Sequence, residues 1–413
     1  MRNILAEVIT IGDEILYGQI TDTNTQWISS ELDKIGIRSV RKSSVGDNEQ
    51  RILEILQEAG SRADIILITG GLGPTKDDIT KNVLAQYFNS KLVMHEQALM
   101  EVTAYFKSKG KELTEINRPQ ALLPDNCIFI SNKRGTAPGM WFEKNGKVFV
   151  SMPGVPHEMK GMMTNSILDK LQKHFETPVI YHKMIKTVGI GESFLATKIA
   201  QWEDNLPSHI KLAYLPSMGQ VRLRLTATGA DVNTLQADVQ KETTKLQSLV
   251  SEYIYGYDDD TLESVTSNLL LKRKHSIAVA ESCSVGYISY SLGSVAGCSQ
   301  YFMGSMVAYS NEAKINLLGV KRDTIETFGA VSEETVKEMA QQIRMKFNTT
   351  IGMASSGIAG PGGGSDHKPV GTVWIAYADA KQVVAKRLQL GNDRDLNIKL
   401  TAVYVLNLLR ESI

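Results

Sequence analysis

The run AESCSVGYIS, residues 280–289, sets Ser282, Cys283 and Ser284 side by side. It follows the apolar SIAVA, a buried-strand composition, and leads into SVGYISYSLGS, whose apolar positions recur at helical spacing. A strand-to-helix turn exposes a side chain and points free helix N–H groups outward, where developing negative charge is favoured. A serine there can attack an acyl carbon, or it can simply cap the helix, and capping serines far outnumber catalytic ones. A serine hydroxyl needs a neighbour to take its proton. His275 precedes the strand and His367 sits in the tail of a glycine-rich loop, so neither histidine is placed for this. GSMVAYSNEAKINLLGV instead puts Tyr309 at a strand end and Lys314 on the next helix. A desolvated lysine, its pKa lowered from about 10.4, can serve as the base, and a tyrosine hydroxyl can relay a proton. Amides at the Ser282 helix start are candidate oxyanion donors. ASSGIAGPGGG, residues 354–364, is a glycine-rich loop after a further strand, and Arg394 opens the last helix. Nucleophile, base and anion cradle can therefore meet in one crevice. Taken singly, Lys314 reads as a solvated helix residue and Tyr309 as a strand-edge aromatic.

A second constellation lies near the N-terminus. ITIGDEIL places Gly12, Asp13 and Glu14 after a strand, and TGGLGPTKDDIT places Gly70, Gly71 and Gly73 after another, with Thr75, Asp77 and Asp78 following. Ligands of open α/β sheets bind at the carboxyl ends of strands, and glycines let backbone N–H groups approach phosphates. Carboxylates repel phosphates, so Asp13, Glu14, Asp77 and Asp78 suit a divalent cation held against a pyrophosphate. Turn glycines with helix capping by Thr75 and Asp77 form the structural alternative.

The elements that must position these residues follow from patterning. The chain has 413 residues, enough for two or three domains. Up to about residue 168 strands alternate with helices, which implies a parallel sheet with right-handed crossovers. Asn145-Gly146 marks a type I′ hairpin, expected to add antiparallel strands at one edge. Residues 169–258 read as a small α+β domain, and 259–413 return to the α/β pattern. Lys+Arg and Asp+Glu are both 45, and zero net charge argues against a polyanion binder steered by bulk charge. Gly189-Ile190-Gly191-Glu192 lacks the basic flanks of an RNA-binding loop, so the middle domain reads as a spacer and nucleic acid is not an expected partner. Cys127, Cys283 and Cys298 are odd in number and form no C-x-x-C pair, which points to a reducing compartment. No signal pattern and no apolar run near the roughly 20 residues of a bilayer span is present, so a cytoplasmic, membrane-free protein is expected.

GDEILYGQITDTN, TGGLGPTKDDIT, GTAPGMW and MPGVPHEM together resemble the N-terminal half of the CinA (competence/damage-inducible) family, which is similar to molybdopterin-binding domains of the MoaB/MogA type. AESC, YSNEAK, GAVSEE, SSGIAGPGGG, KPVGTVW and GNDRD resemble the family's C-terminal domain, similar to the stand-alone PncC-type nicotinamide-nucleotide amidohydrolase. The resemblance implies a KH-like middle domain and a homodimer. It implies a metal-dependent ADP-ribose pyrophosphatase site at Gly12, Asp13, Glu14, Asp22, Asn24, Gly70, Gly71, Gly73 and Thr75, with a divalent cation at Asp13, Asp77 and Asp78. It implies a deamidase without cofactor that converts nicotinamide mononucleotide (NMN) to nicotinate mononucleotide and ammonia. Its catalytic residues would be Ser282, Tyr309 and Lys314, with Ser284, Gly357, Ala359, Gly360 and Arg394 binding substrate. The family reads S-C-T-G-G where this chain has Ser282-Cys283-Ser284-Val285-Gly286, so Val285 adds a Cβ at a glycine position. The alternatives are a pterin- or nucleotide-binding protein with another amidase activity, and a non-enzymatic protein acting in DNA uptake or repair.

Overall fold

The computed structural model describes residues 4–413. The chain divides into two compact units: residues up to 181 with 227–236, and residues 182–226 with 237–413.

The first unit is built on strands β1 (Ile4–Ile11), β2 (Ile37–Val45) and β3 (Ile65–Thr69). A short pair, β4 (Leu92–Met94) and β5 (Leu122–Pro124), stands apart from the main sheet. β6 (Ile128–Ile130), β7 (Gly139–Lys144) and β8 (Lys147–Met152) complete the sheet, in the order β2-β1-β3-β8-β7-β6. Every residue of β3 is buried because helices cover both faces of the sheet. Ile28 and Leu32 of the helix Thr23–Lys34 fill the core on one face, and Ile52, Leu56 and Ala59 of Glu49–Arg62 fill the other. Asn145 and Gly146 both have positive φ, 54° and 72°, as a type I′ turn requires. The hairpin departs from expectation in one respect. β8 pairs parallel with β3 and extends the parallel sheet, so β7 alone runs against the other strands and β6, antiparallel to β7, shares their direction. The boundary expected at 168 falls inside a continuous helical run, Pro156–Phe175, whose Leu171 is buried in this unit's core.

Strands β9 (Val179–Val188), β10 (Ile210–Ser217), β11 (Gln220–Gly229) and β12 (Ile254–Tyr257), most of whose residues belong to the second unit, form a small sheet ordered β10-β11-β9-β12. The helices Glu192–Asp204 and Val232–Val250 accompany it in sequence, giving the α+β middle domain that was expected.

The remaining sheet carries β13 (Ile277–Glu281), β14 (Phe302–Val307), β15 (Ile351–Gly357), β16 (Thr372–Ala378) and β17 (Val383–Gln389), ordered β14-β13-β15-β16-β17. The period of two in β13 divides the core. Ile277 and Val279 face the side covered by the helix Arg394–Ser412, while Ala278 and Ala280 face the helix Glu333–Lys346. β13 is parallel to both β14 and β15, so all three carboxyl ends open on the same edge. Among the described residues, no helix is long and apolar enough to cross a membrane.

Candidate functional site

At that edge Ser282 directly follows β13, and its N–H donates to the Ser355 carbonyl at 3.1 Å. Lys314 lies in a π-helical stretch, Ala313–Leu318, after β14, and is 2 % exposed. Such stretches are rare and recur at functional sites. Its Nζ is 3.0 Å from Ser282 Oγ and 3.0 Å from each of the carbonyl oxygens of Ala308 and Tyr309. Burial pushes the Lys314 ammonium below its ordinary pKa. A neutral amine held there keeps two hydrogens for the carbonyls and a lone pair for the Ser282 proton. Both residues line a cavity of about 200 Å³ together with Tyr309, Asn311, Val331, Gly357, Ala359 and Arg394.

Three expectations change. Ser284 is fully buried, and its Oγ is 2.6 Å from Ser355 Oγ, so it packs behind the turn instead of facing substrate. The Tyr309 hydroxyl accepts from Arg394 Nη2 at 3.2 Å, and the part of Tyr309 that touches Lys314 is its main-chain carbonyl. The helix-start amides are engaged within the protein. The buried Glu281 carboxylate accepts from the N–H groups of Gly286 (2.9 Å), Ile288 (3.2 Å) and Ser289 (2.8 Å). An internal anion thus occupies the helix N-terminus, where substrate was expected to find oxyanion donors. Gly360 offers Arg394 Nη1 its carbonyl at 3.0 Å. Cys283 belongs to the core, and burial raises its thiol to about 12, which keeps it protonated and inert.

Glu281, Asn311 and Asn397 escaped the sequence reading. Asn397 is fully buried, and its Nδ2 donates to the carbonyls of Ala359 (2.9 Å) and Gly391 (2.8 Å), pinning the glycine-rich loop. Its only signal was a place one helical turn after Arg394.

In the first unit a cavity of about 510 Å³ is lined by Gly12, Glu14, Asp22, Asn24, Gly70, Gly71, Gly73, Asp77 and Asp78, and also by Asp47, Gln120 and Glu158. Asp13 and Thr75 are not on its wall. The Asp13 carboxylate lies against Gly46, and its N–H donates to Asp47 Oδ2 at 3.2 Å. Thr75 gives both its N–H and its hydroxyl to Asp78 Oδ2. Asp22 caps the helix Thr23–Lys34 and also accepts from Thr10 Oγ1 at 2.8 Å. Gly70 and Gly71 answer to packing: a Cβ would sit 2.0 Å from the Ile11 carbonyl at Gly70 and 2.1 Å from Thr80 Oγ1 at Gly71.

The expected cation ligands Asp13, Asp77 and Asp78 do not form a set. Among the described residues, no three His, Cys, Asp or Glu side chains converge as a metal would require. The charge of the cavity does fit a cation. Glu14, Asp22, Asp47, Asp77, Asp78 and Glu158 line it, and no lysine, arginine or histidine does. The Asp47 carboxyl is pushed up by burial and, further, by the charges of Asp13, Glu14 and Asp77. Asp47 is therefore the residue whose charge a cation would relieve. Asp47 stands after β2 as the acid of a third strand-end loop, a signal that sequence reasoning passed over.

Three family descriptions match the chain in order: a probable molybdopterin binding domain over residues 7–173, the damage-inducible protein CinA KH domain over 182–256, and the CinA C-terminal domain over 259–413. A CinA-like protein of Cytophaga hutchinsonii is 52 % identical over 411 residues, covering 100 % of this chain and 98 % of that one. One from Flavobacterium psychrophilum is 46 % identical over 410 residues, covering 97 % of each. Among solved structures, the CinA protein of Thermoplasma acidophilum is 34 % identical, with a TM-score of 0.38, and covers 41 % of this chain and 99 % of that one. With full-length relatives at this identity and all three domains in order, the chain belongs to the CinA family.

Proposed function

We propose that the C-terminal site deamidates NMN, with water as co-substrate and nicotinate mononucleotide and ammonia as products, in pyridine-nucleotide salvage. The observation that carries this reading is the buried Lys314 Nζ, 3.0 Å from Ser282 Oγ, with burial favouring its neutral form. Lys314 takes the hydroxyl proton as Oγ attacks the carboxamide carbon. The Cys283 and Ser284 N–H groups, next along the turn from the nucleophile, receive the oxyanion in this reading, each donor worth roughly 100- to 1,000-fold in rate. The Lys314 ammonium gives its proton to the amide nitrogen, which leaves as ammonia when the C–N bond breaks, and the regenerated neutral amine activates the water that releases the acyl group. Arg394, held by Gly360 and Tyr309, receives the nucleotide phosphate, which makes Tyr309 a positioning residue. No cofactor takes part.

The first-unit cavity supports a second activity, cation-dependent cleavage of a nucleotide diphosphate such as ADP-ribose. Its observation is the wall of carboxylates with no basic side chain. A bound divalent cation would neutralise the pyrophosphate, drawn in by the carboxylate wall, with Asp47 the residue whose charge it would relieve. We take the protein to be cytoplasmic and homodimeric.

The test is ammonia release from NMN, nicotinamide riboside and simple amides by the purified chain. Ser282→Ala should lower release from NMN by about a thousandfold or more, while Cys283→Ala stays within about threefold. Full activity in Ser282→Ala would end the proposal.

A further inference from the structure

Three polar atoms on residues lining the 510 Å³ cavity are buried without a protein partner: Asn24 Oδ1 and both side-chain atoms of Gln120, Nε2 and Oε1. Gln120 is 3 % exposed and Asn24 is 6 % exposed. Burying a carboxamide with its hydrogen bonds unmade is destabilising, so the placement calls for a ligand or water to complete it.

Gln120 is not there through looseness of the chain. It belongs to the 3₁₀ turn Arg118–Ala121, which contains Pro119, and its N–H donates to the Asn117 carbonyl at 3.1 Å. The Lys81 ammonium donates to the carbonyls of Pro119 (3.0 Å) and Gln120 (3.1 Å). The main chain is therefore clamped while the side-chain amide keeps its full capacity. Asn24 spends its Nδ2 on Thr69 Oγ1 (3.2 Å) and the Gly154 carbonyl (2.7 Å), which leaves only Oδ1.

The chemistry of the unspent groups selects a ligand. A phosphate cannot use Oε1, and a cation cannot use Nε2. An adjacent donor and acceptor in one plane match the edge of a heterocyclic base, and the pairing of glutamine or asparagine with adenine is the established form of that match. The cavity is of the size that encloses a nucleotide. We propose that Gln120 is the specificity-determining residue for adenine in this cavity, with Asn24 Oδ1 accepting from the amino group. This rests on the nucleotide-diphosphate reading of the site.

The test compares binding of AMP with that of purine riboside monophosphate, which lacks the 6-amino group, by calorimetry in the presence of Mg²⁺. The full chain, Gln120→Leu and Gln120→Glu are used, and cleavage of ADP-ribose is followed in parallel. The wild type should prefer AMP by about ten- to a hundredfold, and either variant should reduce that preference to within about threefold. Ligand-free Gln120→Leu should melt no lower than wild type, because it removes an unsatisfied buried amide. If Gln120→Leu does not fold, Gln120→Glu, which keeps the shape and loses the donor, supplies the comparison. A preference that survives substitution, or no preference in the wild type, overturns the proposal. Adenine preference that depends on Gln120 without any cleavage of ADP-ribose would sink the pyrophosphatase reading and leave this one standing.

Discussion

A lysine becomes a base near neutral pH only where its ammonium form is costly, and Lys314 meets that condition. It is buried, its hydrogen-bond partners are two carbonyls and a hydroxyl, and no carboxylate is among them. The sign of the pH dependence follows. The protonated amine cannot accept the Ser282 proton, so kcat/KM for NMN should climb about tenfold per pH unit on the acid side and level off below the ordinary lysine value of 10.5. Lys314→Ala should lose about 100- to 10,000-fold together with that ionisation, and Lys314→Arg should not restore it, since a guanidinium stays protonated. An unchanged pH profile in Lys314→Ala would assign the base elsewhere. Ser282 and Lys314 were legible in the sequence because a hydroxyl at a strand-to-helix turn and a lysine after the neighbouring strand end are spaced for one crevice. The direction of Ser284 was not, because which of three consecutive side chains faces the cavity is set by the dihedral angles of the turn.

Those dihedrals belong to the strand-turn-helix element, and two residues enforce them. Glu281 ends β13 and turns its carboxylate onto three amides of the next helix, so the anion that stabilises the helix start comes from inside the element. Val285 has φ of +46°, a left-handed conformation that a β-branched residue rarely takes, and Gly286 follows at +96°. The sequence marked Val285 as an added Cβ at a glycine position. The structure shows the consequence as backbone strain, since Val285 is exposed and its side chain has room. A left-handed non-glycine residue costs about 1–2 kcal/mol, and the greater freedom of glycine in the unfolded chain offsets roughly 0.4–1 kcal/mol of that. Val285→Gly should therefore stabilise the C-terminal unit by about 0.5–1 kcal/mol. Val285→Ala, which keeps the strained φ, should gain little. Thermal melting of the two variants decides this, and a lower midpoint for Val285→Gly would show that the valine side chain contributes packing worth more than the strain. Glu281 itself was hidden in the sequence because an acid closing a buried strand gives no sign of which amides it will meet.

Across the whole molecule the two cavities solve opposite electrostatic problems. The C-terminal one carries its own cation, Arg394, beside the buried amine of Lys314, whereas the N-terminal one is lined by six acidic residues and no basic side chain. The alternating pattern made both α/β sheets legible in sequence. It missed the parallel pairing of β8 with β3 and the burial of Leu171, because both depend on contacts between distant segments. The contrast in charge yields a prediction about the protein as a unit. EDTA should lower ADP-ribose cleavage by about a hundredfold or more, with recovery on adding Mg²⁺ or Mn²⁺, and should leave ammonia release from NMN within about twofold. A cation should also raise the melting temperature of the first unit, and Asp47 gives that shift its pH dependence. Its carboxyl is raised in the folded protein, so its ionisation works against folding. That penalty is absent below the unfolded carboxyl pKa, develops as pH rises through the folded value, and is complete above it. The stabilisation by Mg²⁺ should therefore be large at pH 7 and small near pH 4. Asp47→Asn should melt higher than wild type without cation and gain less from it. Loss of ammonia release in EDTA with ADP-ribose cleavage intact would reverse the assignment of the two sites.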